Sequence, residues 1–249
     1  MGLFTLNHSG SQTLLSRCGA VPDSKTTLHY DAEVYSQLDR PWDSIVRFLY
    51  VTLADLGWYK GTDEEVVMDV GCGPGRLTSQ FILPCFPNLK KLIALDAVPS
   101  MIEMAKSLYP HPKIEYVVAN FEDDSAVEWW KQQVTKFISV HCFNRMKSQY
   151  DAFKRVYELL PPNGEAALFF LLHNGYYNAI TKLAKDPKWQ SYITVNFLFS
   201  VSELAPCIPD SKMADFKKDL FHYTFKENGM NTDGTPVDKT TTLELVVQK

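Results

Sequence analysis

The stretch VVMDVGCGPGRLTSQ, residues 66–80, constrains the fold of this chain more than any other part of its sequence. Apolar, mostly β-branched residues lead into Asp69, and glycines follow at alternate positions, Gly71, Gly73 and Gly75. An apolar run of this length predicts a buried strand, and glycines after it permit a tight turn whose bare backbone can approach a ligand. The stretch therefore predicts a strand, a glycine-rich turn and a helix, with a small molecule bound at the turn.

The middle of the chain repeats this alternation of strand and helix. Four further apolar runs predict strands, over 89–96, 113–120, 136–143 and 164–172. Amphipathic periods between them predict three helices, over 100–108, 124–134 and 148–160. Such an order favours an α/β fold with a Rossmann-like, mostly parallel sheet and helices on both faces. The run at 240–248 predicts an antiparallel C-terminal edge strand.

The N-terminal part carries a weaker pattern. Residues 1–28 are rich in serine, threonine and glycine without a clear period, which predicts a flexible leader. The domain itself is expected to span 29–249. Its first helical pattern begins at Tyr30 and ends at Gly57.

Beyond the fifth strand the period lengthens. Helical patterns over 175–185 and 189–199 predict a helical cap insertion at about 173–212. A third helical pattern, over 213–228, ends at Gly229, a residue typical of helix C-termini.

Composition excludes several classes of partner. The net charge is −4 and the pI is about 5.9, so neither nucleic acid nor an anionic membrane surface is an expected partner. No apolar run approaches the ~20 residues of a membrane span. The five cysteines are widely spaced without a C-x-x-C pair, which favours reduced thiols, a cytoplasmic location and no metal site. We expect a monomer or a homodimer.

Three interpretations of the glycine-rich turn compete. A dinucleotide fingerprint needs G-x-G-x-x-G, but here the third glycine comes one place early and Arg76 occupies its position. The acid Asp69 beside the turn suits a cationic ligand such as S-adenosylmethionine better than a pyrophosphate. Asp96 ends the second strand, 25 residues after Gly71, where a carboxylate can accept both ribose hydroxyls. These features favour the methyl donor over a dinucleotide, and the third interpretation is a loop with fortuitous glycines.

With the segments VVMDVGCGPG and LIALDAVPSMIEMAK, the chain resembles the class I S-adenosylmethionine-dependent methyltransferases. The segments FNRMKSQYDAFKRVYELLPPNGEAALFFLLHN and YYNAITKLAKDPKWQSYI are similar to the arthropod juvenile hormone acid methyltransferases. The resemblance covers about residues 30–228. It implies methyl transfer from S-adenosylmethionine to the carboxylate of a small sesquiterpenoid or fatty acid.

The resemblance also implies site residues. The cofactor-binding residues would be Asp69, Gly71, Cys72, Gly73, Gly75, Asp96, Ala97, Met101, Asn120, Phe121 and His141. Those up to Gly75 would line the methionine end, Asp96 the ribose, the next two the adenosine, and the residues after the third strand the adenine. The substrate would meet Tyr35, Trp42, Arg145, His173 and Tyr176. Packing or surface roles are the alternatives for Tyr35, His141, Arg145 and His173.

Two positions depart from the family pattern. Trp42 stands where the family has a glutamine, and Asn144-Arg145 stand where it has His-Trp. Arg145 can pair with a substrate carboxylate. A carboxylate is already ionised at pH 7, so methylation needs no general base, and no catalytic residue is expected. The alternatives are a methyltransferase for another small metabolite and an inactive cofactor-binding paralogue.

Overall fold

The alternation of strands and helices builds one six-stranded sheet. The structure, a computed structural model, describes residues 32–36, 42–61, 64–192, 208–235, 237 and 240–249. The predicted leader over 1–28 lies outside these residues. The described residues fall into two compact units. The sheet unit contains those up to 173 together with 240–249, and the insert unit contains those from 174 to 239.

The predicted α/β fold with a mostly parallel sheet is confirmed. The strands are β1 (Glu65–Val70), β2 (Leu89–Asp96), β3 (Ile114–Val118), β4 (Lys136–Val140), β5 (Glu165–Asn174) and β6 (Thr240–Gln248). Their order is β3-β2-β1-β4-β5-β6, and β1 to β5 pair in parallel. From β1 the sheet is extended in one direction by β2 and β3 and in the opposite direction by β4, β5 and β6, so the order reverses between β1 and β4. In sheets of this kind the carboxyl ends of the strands open a ligand-binding crevice at that point.

The last strand runs against the others, as predicted. The Lys249 backbone N–H donates to Gly164 O, and Asn163 N–H donates to Lys249 O, both at 2.9 Å. The end of β6 therefore lies beside the start of β5, which is the antiparallel arrangement.

Helices cover both faces of the sheet. They are α1 (Ala32–Ser36), α2 (Trp42–Arg47), α3 (Leu53–Asp55), α4 (Pro99–Leu108), α5 (Asp124–Val127) and α6 (Gln149–Leu159) in the sheet unit. A π-helical turn, Phe48–Thr52, joins α2 to α3, and a second one, Thr78–Ile82, follows the glycines. Among the helices that the structure describes, none has the length and apolarity to cross a membrane.

The core lies in two layers because apolar residues alternate along each strand. On one face Phe48, Leu53 and Ile102 pack with residues such as Val67 and Leu92. On the other face Val127, Val156 and Leu159 pack with residues such as Met68 and Ile93. The two layers fix the sheet from both sides, so its carboxyl edge is held in place for a site.

Local sequence explains where two of the helices begin. Pro99 occupies the first turn of α4, where its missing N–H leaves no hydrogen bond unmade. Ser148 caps α6, because its Oγ accepts from the Asp151 N–H at 3.2 Å.

Several predicted bounds differ from the observed ones. The helix predicted over 124–134 is α5 followed by a 3-10 turn, Glu128–Trp130, because Gln132 has a φ of +57° and no helix can pass through it. The strand predicted over 136–143 ends at Val140, because His141 has a φ of +56°.

The insert unit contains α7 (Gly175–Leu183) and α8 (Asp210–Asn228). An ion pair between Lys182 and Glu227 joins the two helices. Gly229 ends α8 as predicted, with a φ of +85°. Of the helix predicted over 189–199, residues up to 192 form turns and the others lie outside the described residues. The predicted cap bounds, 173–212, stay a prediction.

Candidate functional site

The glycine-rich turn lies at the carboxyl end of β1, in the predicted crevice. Gly71, Gly73 and Gly75 all have positive φ, at +81°, +55° and +84°. The Gly71 and Cys72 N–H groups both donate to Leu95 O, at 2.8 and 2.9 Å. These two hydrogen bonds fix the turn to the end of β2, so the carboxyl ends of β1 and β2 are held side by side.

Each glycine makes room for a different neighbour. A Cβ at Gly71 would come within 2.5 Å of Cys142 Sγ, and one at Gly73 within 3.3 Å of the Tyr35 ring. A Cβ at Gly75 would lie 2.8 Å from Ala105 Cβ. Gly75 thus permits close packing of the turn against α4, whereas Gly73 lies under the ring of Tyr35.

Asp96 joins the turn to the end of β2. Its Oδ2 accepts from Gly73 N–H and its Oδ1 from Val98 N–H, both at 2.9 Å. Burial raises the pKa of this carboxyl group, while the two backbone donors and the charge of Arg145 act to lower it. A carboxylate oxygen has two lone pairs, so each oxygen can accept one further hydrogen bond from a ligand hydroxyl.

Asp69 has a different environment. Only 1% of the residue is exposed, and its Oδ2 accepts from Thr78 Oγ1 at 2.6 Å. Burial raises the pKa of Asp69 to about 7, the Thr78 hydrogen bond lowers it, and the charge of Asp96 raises it further. The carboxyl group is therefore engaged with the helical turn that follows the glycines, and its predicted contact with a ligand ammonium stays a prediction.

The chain after β4 brings a cation to this crevice. Phe143–Arg145 form a 3-10 turn, and the charge of Arg145 lowers the pKa of both Asp96 and Cys142. Burial is the larger effect on Cys142 and raises its pKa to about 12, which keeps the thiol protonated. His141 adopts a left-handed conformation, and its ring meets the Phe169 ring edge-on at 5.1 Å. Arg145 and Asp96, predicted on different elements, thus lie at one edge of the sheet.

The residues predicted to contact the adenosine differ in how exposed their side chains are. Ala97 is exposed beside Asp96, whereas Met101 is buried in α4. Asn120 is exposed, and its Oδ1 accepts from Glu122 N–H at 3.0 Å. The Phe121 ring is buried against Phe137 and Phe143, with centroids 5.6 and 5.9 Å away. Only the backbone of Phe121 is left to meet an adenine, because its ring belongs to the core.

The residues predicted to contact the substrate belong to several different elements. The Trp42 ring stacks on Phe81 at 5.1 Å, and the Arg76 guanidinium lies 4.8 Å from its centroid. These contacts place Trp42 against the helical turn after the glycines. His173 belongs to β5 and Tyr176 to α7, and their roles stay predictions.

Sequence reasoning missed Thr78, which holds Asp69. The available signal was a hydroxyl residue in the first helical turn after the glycines, nine positions beyond the acid. It also missed the approach of Cys142 to Gly71, which no local pattern encodes, because the two residues are 71 positions apart.

The chemistry of the crevice suits S-adenosylmethionine. A pyrophosphate would be repelled by two carboxyl groups at the turn, whereas an ammonium and a sulfonium would be attracted. Asp96 offers acceptors for two hydroxyls, and the turn offers bare backbone at Gly73. The residues present therefore fit a cationic nucleoside without phosphate.

Comparisons with known proteins agree with this fit. Residues 68–168 match the model of a family described as a methyltransferase domain. The juvenile hormone acid O-methyltransferase of Bombyx mori is 25% identical over 136 residues, which are 55% of this chain and 48% of that protein. The enzyme of the same name from Drosophila melanogaster is 23% identical over 137 residues, 54% of this chain and 46% of that protein. The chain therefore spans about half the length of these relatives.

Solved structures share the fold. The YcgJ protein of Bacillus subtilis matches 80% of this chain and 96% of its own, with a TM-score of 0.54 and 15% sequence identity. That likeness concerns the fold alone, and the glycine-rich turn and the family match concern the crevice. The family match over residues 68–168 and the glycine-rich turn together support a class I S-adenosylmethionine-dependent methyltransferase.

Proposed function

We propose that this protein transfers a methyl group from S-adenosylmethionine to the carboxylate of a small apolar acid, of the terpenoid or fatty acid kind. The proposal rests on one observation: a guanidinium, Arg145, is brought to the edge of the sheet where Asp96 meets the glycine-rich turn. The two insect relatives carry the name juvenile hormone acid O-methyltransferase, which supports an acid as the acceptor.

The chain's own residues would hold the cofactor at the turn. Asp96 would accept from the two ribose hydroxyls through the lone pairs that its backbone donors leave available. Where Asp69 is ionised, its negative charge would attract the ammonium group of the cofactor. When bound, S-adenosylmethionine supplies an electrophilic methyl group on a positively charged sulfur.

The chain would then position the acid rather than activate it. Arg145 can hold one face of the carboxylate by a bidentate pair and so aim an oxygen at the methyl carbon. No residue of the chain would need to move a proton, because the acid is already ionised; its oxygen would take the methyl carbon that S-adenosylmethionine supplies, and the sulfur would keep the electron pair of the broken bond. Charge is neutralised in this step, so a crevice that excludes water favours it.

The first experiment tests the cofactor. Calorimetric titration with S-adenosylmethionine should show binding to the natural protein. Because charge-assisted hydrogen bonds contribute about 1.5–3 kcal/mol each, Asp96→Ala should weaken binding by at least about 100-fold. Asp55→Ala, which removes an exposed carboxylate elsewhere in the sheet unit, is the matched control. Equal affinity of the Asp96→Ala variant would remove the ribose role.

The second experiment tests the acceptor. Radiolabelled methyl transfer to fatty and terpenoid acids, with the matching alcohols and amines, should give base-labile label on an acid. Arg145→Ala should raise KM for that acid by about tenfold or more, and the neighbouring exposed Lys147→Ala should not. Label on alcohols or amines would indicate another small-metabolite methyltransferase. Cofactor binding without transfer would indicate a protein that binds the donor and has lost catalysis.

A further inference from the structure

A groove crosses the sheet unit at the amino ends of its strands, away from the glycine-rich turn. It has a volume of about 660 Å³ and is lined by residues of β1, β2, β3 and the 3-10 turn after α5. Val66 pairs with Lys91 and Ile93 with Glu115, so these four side chains point to the same face of the sheet. The methyltransferase crevice uses the opposite ends of the same strands, so the groove is a separate feature.

The groove exists because one helix is short. The connection between β3 and β4 packs on that face of the sheet through Val127, but α5 has only one turn, and the chain after Trp130 turns away at Gln132. Trp129 is left 83% exposed at the rim, and Trp130 is half-buried beside it. Tryptophan is among the residues most enriched in binding hot spots, and here it borders a groove.

The charge of the groove has one sign. Lys90, Lys91 and Lys113 line it against a single acid, Glu115, which leaves two positive charges uncompensated. Lys91 is ion-paired to Glu115, and Lys113 Nζ donates to Leu89 O at 2.7 Å. Lys90 is exposed, and no carboxylate of the described residues forms an ion pair with it. This local excess stands out in a chain whose net charge is −4.

We propose that this groove is a docking site for an acidic, extended segment of a partner protein that carries an apolar side chain. The segment's apolar residue would lie on Trp129 and Val66, and two carboxylates would meet Lys90 and Lys113. A nucleic acid strand or an anionic membrane needs a long basic track, whereas this groove has only three lysines. A short peptide with two acids matches the size and the charge of the groove.

The test uses fluorescein-labelled decapeptides and the whole protein. The first peptide has two glutamates flanking a Leu-Phe pair, with serine and glycine elsewhere. One twin has lysines for the glutamates, and the other has alanines for the Leu-Phe pair. Fluorescence anisotropy should give a Kd below about 1 mM for the first peptide at low salt, and about tenfold weaker binding for both twins. The same peptide should bind less tightly as salt is added.

Variants locate the site. Trp129→Ala and the double variant Lys90→Glu/Lys113→Glu should each weaken the acidic peptide by about tenfold. Matched controls are Tyr150→Ala, an aromatic residue that is 79% exposed elsewhere, and Lys106→Glu on α4. All variants should keep the affinity for S-adenosylmethionine, which shows that they are folded.

Four outcomes would overturn the proposal. They are no binding up to about 1 mM, equal binding of the lysine twin, equal loss in the controls, and preferential binding of an oligothymidine or of phosphatidylserine vesicles. The last would mean that the groove recognises a different class of partner.

Discussion

Asp69 and Asp96 are identical side chains at the ends of neighbouring strands, and their surroundings give them different chemistry. Asp69 is enclosed and bonded to Thr78, with its pKa raised to about 7. Asp96 holds two backbone N–H groups and faces the charge of Arg145. The Asp69 carboxyl group can therefore gain a proton near neutral pH, whereas the Asp96 carboxyl group accepts hydrogen bonds from backbone donors of the crevice.

The pKa of Asp69 makes the stability of the protein depend on pH. Unfolded aspartate ionises near pH 4, but the folded carboxyl group keeps its proton until about pH 7. The folded state then binds more protons than the unfolded state, so the free energy of unfolding falls as the pH rises from about 4 to 7, by at most about 4 kcal/mol. Urea unfolding of Asp69→Asn across this range should show a flatter pH dependence than the natural protein.

The exposed Asp55→Asn variant is the control for that titration and should keep the natural slope. Parallel curves for Asp69→Asn and the natural protein would show that Asp69 is ionised throughout the range.

Gly75 is expected to tolerate no side chain. A Cβ there would lie 2.8 Å from Ala105 Cβ and 3.1 Å from the Tyr116 hydroxyl, at a φ of +84°. Overpacking costs about 1–3 kcal/mol and a left-handed alanine a further 1–2 kcal/mol, so Gly75→Ala should lose about 2–5 kcal/mol of unfolding free energy. Chemical denaturation measures this loss.

Gly57→Ala separates the two contributions. Gly57 has a φ of +75°, but a Cβ there would meet only Lys60 Cδ, at 3.6 Å. It should therefore cost only the about 1–2 kcal/mol of the left-handed backbone. Equal losses at the two glycines would show that α4 does not press on the turn.

At the scale of elements, the start of α6 supports the turn that carries Arg145. The Gln149 amide donates to Phe143 O, so the first residue of the helix holds the 3-10 turn. Ser148, which precedes it, caps the helix. A stable start of α6 is therefore a condition for a well-placed guanidinium.

Removal of this cap should be measurable. Ser148→Ala leaves the Asp151 N–H without its acceptor and should lower the free energy of unfolding by about 1 kcal/mol in urea titrations. Ser148→Asp keeps an acceptor in the same place and should retain most of the stability. If both variants lose the same amount, the serine acts through something other than its cap.

The strands were predictable and some ends of elements were not. The apolar run at 89–96, which ends in an acid, predicts β2 with the observed bounds. By contrast, the helical segment after β3 stops before Gln132 and β4 stops before His141, and left-handed residues other than glycine leave no mark in a sequence. For the site, the glycines and Asp96 were visible through motif spacing. The Asp69–Thr78 bond and the charge of Arg145 on Asp96 depend on tertiary contacts, which local patterns do not contain.

At the scale of the molecule, the chain has two compact units with separate cores. Trp189 and Phe216 centre the core of the insert unit, with ring centroids 5.3 Å apart. The glycine-rich turn, Asp96 and Arg145 all belong to the sheet unit. A cofactor held by these residues should therefore stabilise the sheet unit and not the insert unit.

Calorimetric unfolding should report this difference. S-adenosylmethionine at about 100 times its Kd should add about 2.7 kcal/mol to the free energy of unfolding of the sheet unit. The transition of the insert unit should stay where it is, and hydrogen exchange can assign each transition to its residues. One transition that moves as a whole would show that the two units unfold together.

The position of β6 has a consequence for the synthesis of the protein. β5 and β6 are neighbours in the sheet, but the residues from 175 to 239 separate them along the chain. At about 5–20 residues per second, a ribosome needs about 3–13 s to make that segment. During this time the outer edge of β5 lacks its natural neighbour, and an open edge can pair with other chains. The yield of correctly folded protein is therefore expected to depend on how fast this segment is made, and not only on equilibrium stability.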